Sequence, residues 1–163
     1  MPVTADKYFS RQFVVKIEPI RTTHQADLRI LKTKDGRQFI GKMANSDIKA
    51  WVRDFKDAIL KMNVIPDKPY TGPLEVSLYF GFPNIQADKG AVKPMTTKPD
   101  FDNLAKSVLD ALTDMGFWAD DSQIVFGKVA KFRTPSPFLA VSINPCNWMD
   151  EAFANSFKLT HTD

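Results

Sequence analysis

Residues 74–82 read LEVSLYFGF, and the reading of this stretch decides the architecture. Leu74, Val76, Leu78, Phe80 and Phe82 recur at every second position, the period that lines side chains along one face of a β-strand. A half-buried strand needs something to cover its apolar face, and the flanking sequence supplies candidates. Upstream, Ile48, Trp51, Val52, Phe55, Ile59 and Met62 fall on one face of a helix that Asn45 or Ser46 can cap, and Pro66 and Pro69 close that region. Before it, LRILKT and RQFIGK flank Lys34-Asp35-Gly36, a hairpin signal. FVVKIEP, from Phe13 to Pro19, reads as the first strand.

Downstream, residues 83–98, PNIQADKGAVKPMTTK, show neither period and are interrupted by Pro83, Gly90 and Pro94. A structureless stretch of this length often belongs to a binding site. A helix is predicted from Asn103 to Met115, with Leu104, Val108, Ala111, Leu112 and Met115 as its apolar stripe and Gly116 as its C-terminal stop. QIVFGKVAKF and FLAVSIN read as strands on either side of a turn at Pro135–Pro137. The tail NWMDEAFANSFKLTHTD reads as a short helix that then frays. The order predicts one α/β domain over residues 1–163, a mixed sheet packed with two main helices, and a C-terminal tail at 146–163.

Composition narrows the function. The chain has 163 residues, about one domain. Its single cysteine, Cys146, excludes an internal disulfide framework and a thiolate zinc cluster. His24 and His161 are far apart and make a His-based site a weak reading. No apolar run is long enough to span a bilayer, and MPVTADKYFSRQF has no hydrophobic signal core, so a cytoplasmic protein without a membrane partner is expected. Residues 1–69 carry 14 Lys+Arg against 8 Asp+Glu, a net of +6, whereas residues 70–163 carry 8 against 11, a net of −3. A basic half suits a polyanionic partner, although a solvated face explains the same charges.

The acidic half holds the chemistry. In KPDFDNLAKSVLDAL, residues 98–112, Asp100 and Asp102 flank Phe101, and FWADDSQIVF adds Asp120 and Asp121. Lys98 precedes a proline and favours extended backbone, in which residues two apart point the same way. Asp100 and Asp102 then project together, Phe101 turns to the core, and Asp102 stands at or near the helix N-cap. Lys106 lies one turn beyond Asp102 on the non-core face, so these groups can converge at one rim. Asp120-Asp121 sits where the chain returns from the helix to the sheet. Carboxylates gathered at one point repel, and a hard divalent cation such as Mg²⁺ relieves the repulsion and can activate water toward a phosphodiester. Each piece also has an ordinary reading: Asp102 as a cap, Asp102–Lys106 as an exposed ion pair, Asp120-Asp121 as a turn. Together they favour metal-dependent chemistry on a phosphate polymer.

These same residues resemble the RusA family of Holliday junction resolvases of bacteria and prophages. The resemblance rests on Asp100, Phe101, Asp102, Asn103, Leu104 and Lys106, then Asp110-Ala111-Leu112, then Asp120-Asp121-Ser122-Gln123, within residues 98–131. It implies a small homodimeric α/β endonuclease that cuts four-way junction DNA with Mg²⁺ and no nucleotide cofactor. It further implies that Asp100, Asp102 and Asp121 bind the metal, that Lys106 is catalytic, and that Asp121 rather than Asp120 is the ligand of its pair. Arg21, Arg29, Lys32, Lys34 and Arg37 become the candidates for DNA phosphate contacts. The family's Pro- and Asn-containing loop after the first strand is replaced here by EPIRTTHQADLR. Trp148 and Phe153 are expected to pack in the core, with a dimer contact as the other role open to them. A nuclease for flaps or other branched DNA, and a junction-binding protein that does not cut, are the competing expectations.

Overall fold

The structure is a computed structural model that describes residues 10–21, 27–43, 46–83 and 91–146, with backbone alone for 27–32 and 39–43. The tail from 147, with Trp148 and Phe153, and the candidate cap Asn45 lie outside the described residues.

Among the described residues, seven strands and two α-helices follow one another as β1 (Arg11–Val15), β2 (Asp27–Lys32), β3 (Gln38–Met43), α1 (Ser46–Met62), β4 (Leu74–Pro83), β5 (Lys93–Pro94), α2 (Phe101–Asp114), β6 (Ile124–Thr134) and β7 (Phe138–Pro145), with a short 3-10 turn at Asp121–Gln123 before β6. Five of the strands make one sheet in the order β1-β7-β4-β6-β5. Only β4 and β6 run parallel, and the segment between them contains α2, as a parallel pair requires a crossover. The expected single α/β domain with a mixed sheet is therefore what forms. The hairpin β2–β3 stands as a separate two-stranded sheet turned at Thr33–Arg37.

LEVSLYFGF is the central strand. Leu74, Val76, Leu78, Phe80 and Phe82 are all buried, and their neighbours across β7, Ile143, Val141 and Leu139, are buried with them. Phe55 and Ile59 of α1 and Leu104, Val108, Ala111 and Leu112 of α2 join this core. The opposite sheet face is more polar, with Ser142 accepting hydrogen bonds from Gln12 at 3.4 Å and Asn144 at 3.2 Å.

Helix ends account for most departures from the expected elements. Met62 is 38% exposed, because α1 stops there and Asn63 turns to a φ of 52°. The C-terminal end of α2 behaves as expected: Gly116, at a φ of 80°, donates to Thr113 O and Phe117 to Leu112 O, closing the helix in a Schellman arrangement. Its N-terminal end does not. Asp100, not Asp102, is the N-cap, so Phe101 is already helical and 62% exposed instead of turned to the core. The stretch 83–98 also departs from a structureless loop, since Lys93 and Pro94 pair with Arg133 and Phe132 of β6.

Candidate active site

The acidic residues stand at the start of α2 and in the turn that follows it before β6, and each place is fastened to a different part of the sheet. At the N-terminal end, Asp100 has extended backbone (φ −73°, ψ 146°), and its carbonyl accepts the first helical hydrogen bond from Leu104 N at 3.2 Å. Its carboxylate makes no capping bond. Asp102 follows in the first turn, where the unsatisfied amides of the helix favour negative charge. Both carboxylates are exposed, and neither has a hydrogen bond or ion pair among the described residues.

The approach to Asp100 is held by β6. In the parallel register Val129 and Lys131 stand beside Leu78 and Phe80, so Lys131 projects to the helix side of the sheet. Its ammonium donates to Thr97 O at 2.6 Å and to Pro99 O at 2.7 Å. Arg133 adds a bond from Nη2 to Thr97 Oγ1 at 3.2 Å, and Met95 N donates to Lys131 O at 3.0 Å. Neither Lys131 nor Arg133 was singled out in the sequence. The available signal was phase: a lysine where QIVFGKVAKF alternates toward the core.

Lys106 is exposed one turn beyond Asp102, but its ammonium pairs with Asp110 at 3.5 Å instead of Asp102. With both side chains largely solvated, such a pair contributes at most about 1 kcal/mol and exchanges readily for another anion.

At the other end, Asp120 and Asp121 have distinct jobs. Asp120 caps a 3-10 turn at Asp121–Gln123, and Gln123 returns the bond to the Asp120 amide at 3.3 Å. The Ser122 side chain, followed by the Ser122 amide at 2.8 Å, holds the Asp120 carboxyl below the usual carboxylate range. Asp120 thus has a structural task in this turn. Asp121 is exposed, and its carboxylate has no partner among the described residues. Gln123 anchors the turn by donating to Tyr70 O at 3.0 Å and Gly72 O at 3.2 Å, just before β4.

The three carboxylates therefore do not meet within one chain. Pro99 is tied to Lys131, deep in β6, whereas Gln123 immediately precedes that strand. The 14 residues of α2 cover about 21 Å, and its C-terminal end lies on the side of Gln123. Among the described residues, no three His, Cys, Asp or Glu side chains stand near enough to hold one metal ion.

Of the basic candidates, Arg21 pairs with Glu18 at 2.8 Å and lies 5.6 Å over the Phe82 ring. Lys34 and Arg37 are exposed at the hairpin tip, Arg37 3.3 Å from Asp35. The side chains of Arg29 and Lys32, on β2, lie outside what is described.

Fold and side chains together define a class: a small α/β protein whose crossover helix opens on uncommitted hard oxygen donors. A family model, Endodeoxyribonuclease RusA, matches residues 19–144, and the chain belongs to that family. It is 29% identical over 137 residues to the crossover junction endodeoxyribonuclease rusA of Lactococcus phage r1t, covering 81% of this chain and 95% of that protein. It is 39% identical over 89 residues to the uncharacterized protein YqaN of Bacillus subtilis (strain 168), covering 48% of this chain and 61% of that one. The crossover junction endodeoxyribonuclease RusA of Escherichia coli (strain K12) matches at 50% over 38 residues, 23% of this chain and 32% of that one. In the last two comparisons the chain spans less than two thirds of its relative's length. No helix among the described residues is long and apolar enough to cross a membrane.

Proposed function

We propose that this protein is a Mg²⁺-dependent, structure-selective endodeoxyribonuclease that resolves four-way junctions as a homodimer in the cytoplasm. The observation that carries this reading is the pair of exposed, unpartnered carboxylates of Asp100 and Asp102 at the start of α2, in a chain of the RusA family. The names of the phage and Escherichia coli relatives point the same way.

The donor set fits a hard cation. Asp100, Asp102 and Asp121 offer only carboxylate oxygens, and none is satisfied by a protein cation among the described residues. Bound there, Mg²⁺ supplies an acidic water and a Lewis acid for a phosphodiester. The protein's own groups do the rest. Lys106 leaves Asp110 to face the phosphate and offsets charge that builds on its oxygens. The amides at the start of α2 favour the same anion. Arg21, Arg29, Lys32, Lys34 and Arg37 hold neighbouring phosphates without reading sequence.

The separation of Asp121 from Asp100 and Asp102 supports the dimer. Two-fold symmetry can bring Asp121 of one subunit to Asp100 and Asp102 of the other, giving two equivalent sites for two opposed strands. The outer edge of β6 offers a route. Among the described residues it carries a strand partner only near Lys131–Arg133.

The test is cleavage of a labelled four-way junction in Mg²⁺, wild type beside Asp102→Asn, with linear duplex as control. Paired symmetric nicks from the wild type alone, with junction binding kept in the variant, are expected. Faster cutting of flaps than junctions would make it a branch nuclease. Binding without nicks from either protein would leave a junction-binding module and sink the catalytic reading.

A further inference from the structure

Lys131 lies 32 residues from Pro99 in sequence, yet its ammonium closes on two backbone carbonyls of the segment that delivers Asp100. A surface lysine rarely holds two carbonyls at 2.6 and 2.7 Å, since water competes and the long side chain loses rotamer freedom. Here the stem is half-buried between the sheet and the start of α2, and the bonds are charge-assisted and short. Lys131 O also accepts from Met95 N, so one residue grips the chain on both sides of Thr96. Arg133, two residues on, takes the Thr97 hydroxyl. Asp100 has no capping bond of its own to fix its place, so the position of the helix start depends on this grip.

We propose that Lys131 is a positioning residue for the cleavage site: it fixes residues 97–99 against β6 and thereby sets where Asp100 and Asp102 present their carboxylates. This rests on the reading of those two aspartates as metal ligands. Lys131 touches carbonyls, not carboxylates, so it acts through the segment. Partners that orient metal-binding groups from behind are worth about 10–100-fold in metal affinity or activity.

The test is Lys131→Met, which keeps the aliphatic stem and removes the ammonium, beside Lys131→Arg, which retains donors. Amide exchange over residues 97–104 should quicken in Lys131→Met while the rest of the protein is unchanged. The Mg²⁺ concentration for half-maximal cleavage should rise about 10-fold, with junction affinity in Ca²⁺ unaltered and partial recovery in Lys131→Arg. A lowered melting temperature with unchanged exchange at 97–104 and unchanged Mg²⁺ dependence would overturn the proposal, leaving Lys131 merely structural. Loss of junction affinity without a Mg²⁺ shift would overturn it too, making Lys131 a phosphate contact. If the wild type itself cuts nothing, the nuclease reading falls, and the exchange measurement alone decides whether Lys131 fixes the segment.

Discussion

The Gln123 side chain donates to the carbonyl of Tyr70 at 3.0 Å, pinning the turn that carries Asp121 to the foot of the central strand. Lys131 pins Pro99, one residue before Asp100, seven residues further along β6 than its first residue Ile124. Seven strand residues rise about 23 Å, and α2 spans nearly the same distance in the reverse direction. β6 pairs with β4 along its length, so the two anchors stand at separate places on one continuous strand. If the proposed site uses all three carboxylates, Asp121 comes to it from a second subunit.

Borrowing makes a sharp prediction about mixed subunits. Asp102→Asn and Asp121→Asn homodimers should each fail to nick a junction. Unfolding the two together and refolding them forms heterodimers in which one site draws Asp102 from one subunit and Asp121 from the other, both intact. That mixture should recover nicking on one strand at a time, without the paired cuts expected of the wild type. Persistent inactivity of the mixture, with heterodimers demonstrated by mass spectrometry, would show that each site is built within a single chain.

The neighbouring Asp120 should behave differently. Its carboxyl is held below the usual range first by the Ser122 side chain and then by the Ser122 amide, in the 3-10 turn. A folded carboxyl that ionises below its unfolded value, about 3.9, adds stability above that pH and loses it as pH falls through the folded value. A carbon-13 titration of the Asp120 carboxyl should therefore have its midpoint below about 3.9 and move upward in Ser122→Ala. Asp120→Asn should leave Mg²⁺-dependent nicking at neutral pH largely intact, in contrast to Asp121→Asn. Equal loss from the two variants would give Asp120 a part in the chemistry.

Period and stop signals carried most of the fold. The alternation from Leu74 to Phe82 named a strand, which the sheet places at its centre, and Gly116 marked a helix end that the hydrogen bonds reproduce. What escaped depends on contacts between distant positions. β5 is two residues long, too short for any period, and exists because β6 runs past it. Phe101 and Met62 keep the apolar character of core residues, but they fall at helix termini and remain exposed. The acidic residues were legible as a group because they crowd into one stretch of sequence. Their places before and after the helix were legible too, but the distance between them was not, since it follows from the direction in which the crossover helix returns along β6. Lys131 was hidden for the same reason, with its partners more than thirty residues upstream.

The interior supplies a prediction about stability. Gly81 sits in β4 opposite Phe138 of β7, where an added Cβ would lie 2.4 Å from the phenyl ring and 2.8 Å from the Thr134 hydroxyl. Thr134 is itself buried and donates to Ser136 O at 2.8 Å, so it has little freedom to retreat. Gly81→Ala should destabilise the fold by about 1–3 kcal/mol through overpacking. Urea unfolding should show a lower midpoint with the slope unchanged. Wild-type stability in Gly81→Ala would mean that the Phe138 ring moves aside freely.

The hairpin tip can be tested through salt. Lys34 is exposed in the turn between β2 and β3 and has no ion-pair partner among the described residues, whereas Arg37 beside it is paired to Asp35. If the hairpin rests on a DNA backbone, Lys34 is the freer of these two charges to displace a counterion from a phosphate. Lys34→Ala should weaken binding to junctions of different sequence alike and reduce the slope of log affinity against log salt by about one. Arg37→Ala should cost less, because contact with phosphate first requires it to give up Asp35. Junction binding measured in Ca²⁺ across a series of salt concentrations reads both effects. An unchanged slope in both variants would move the DNA interface away from this hairpin.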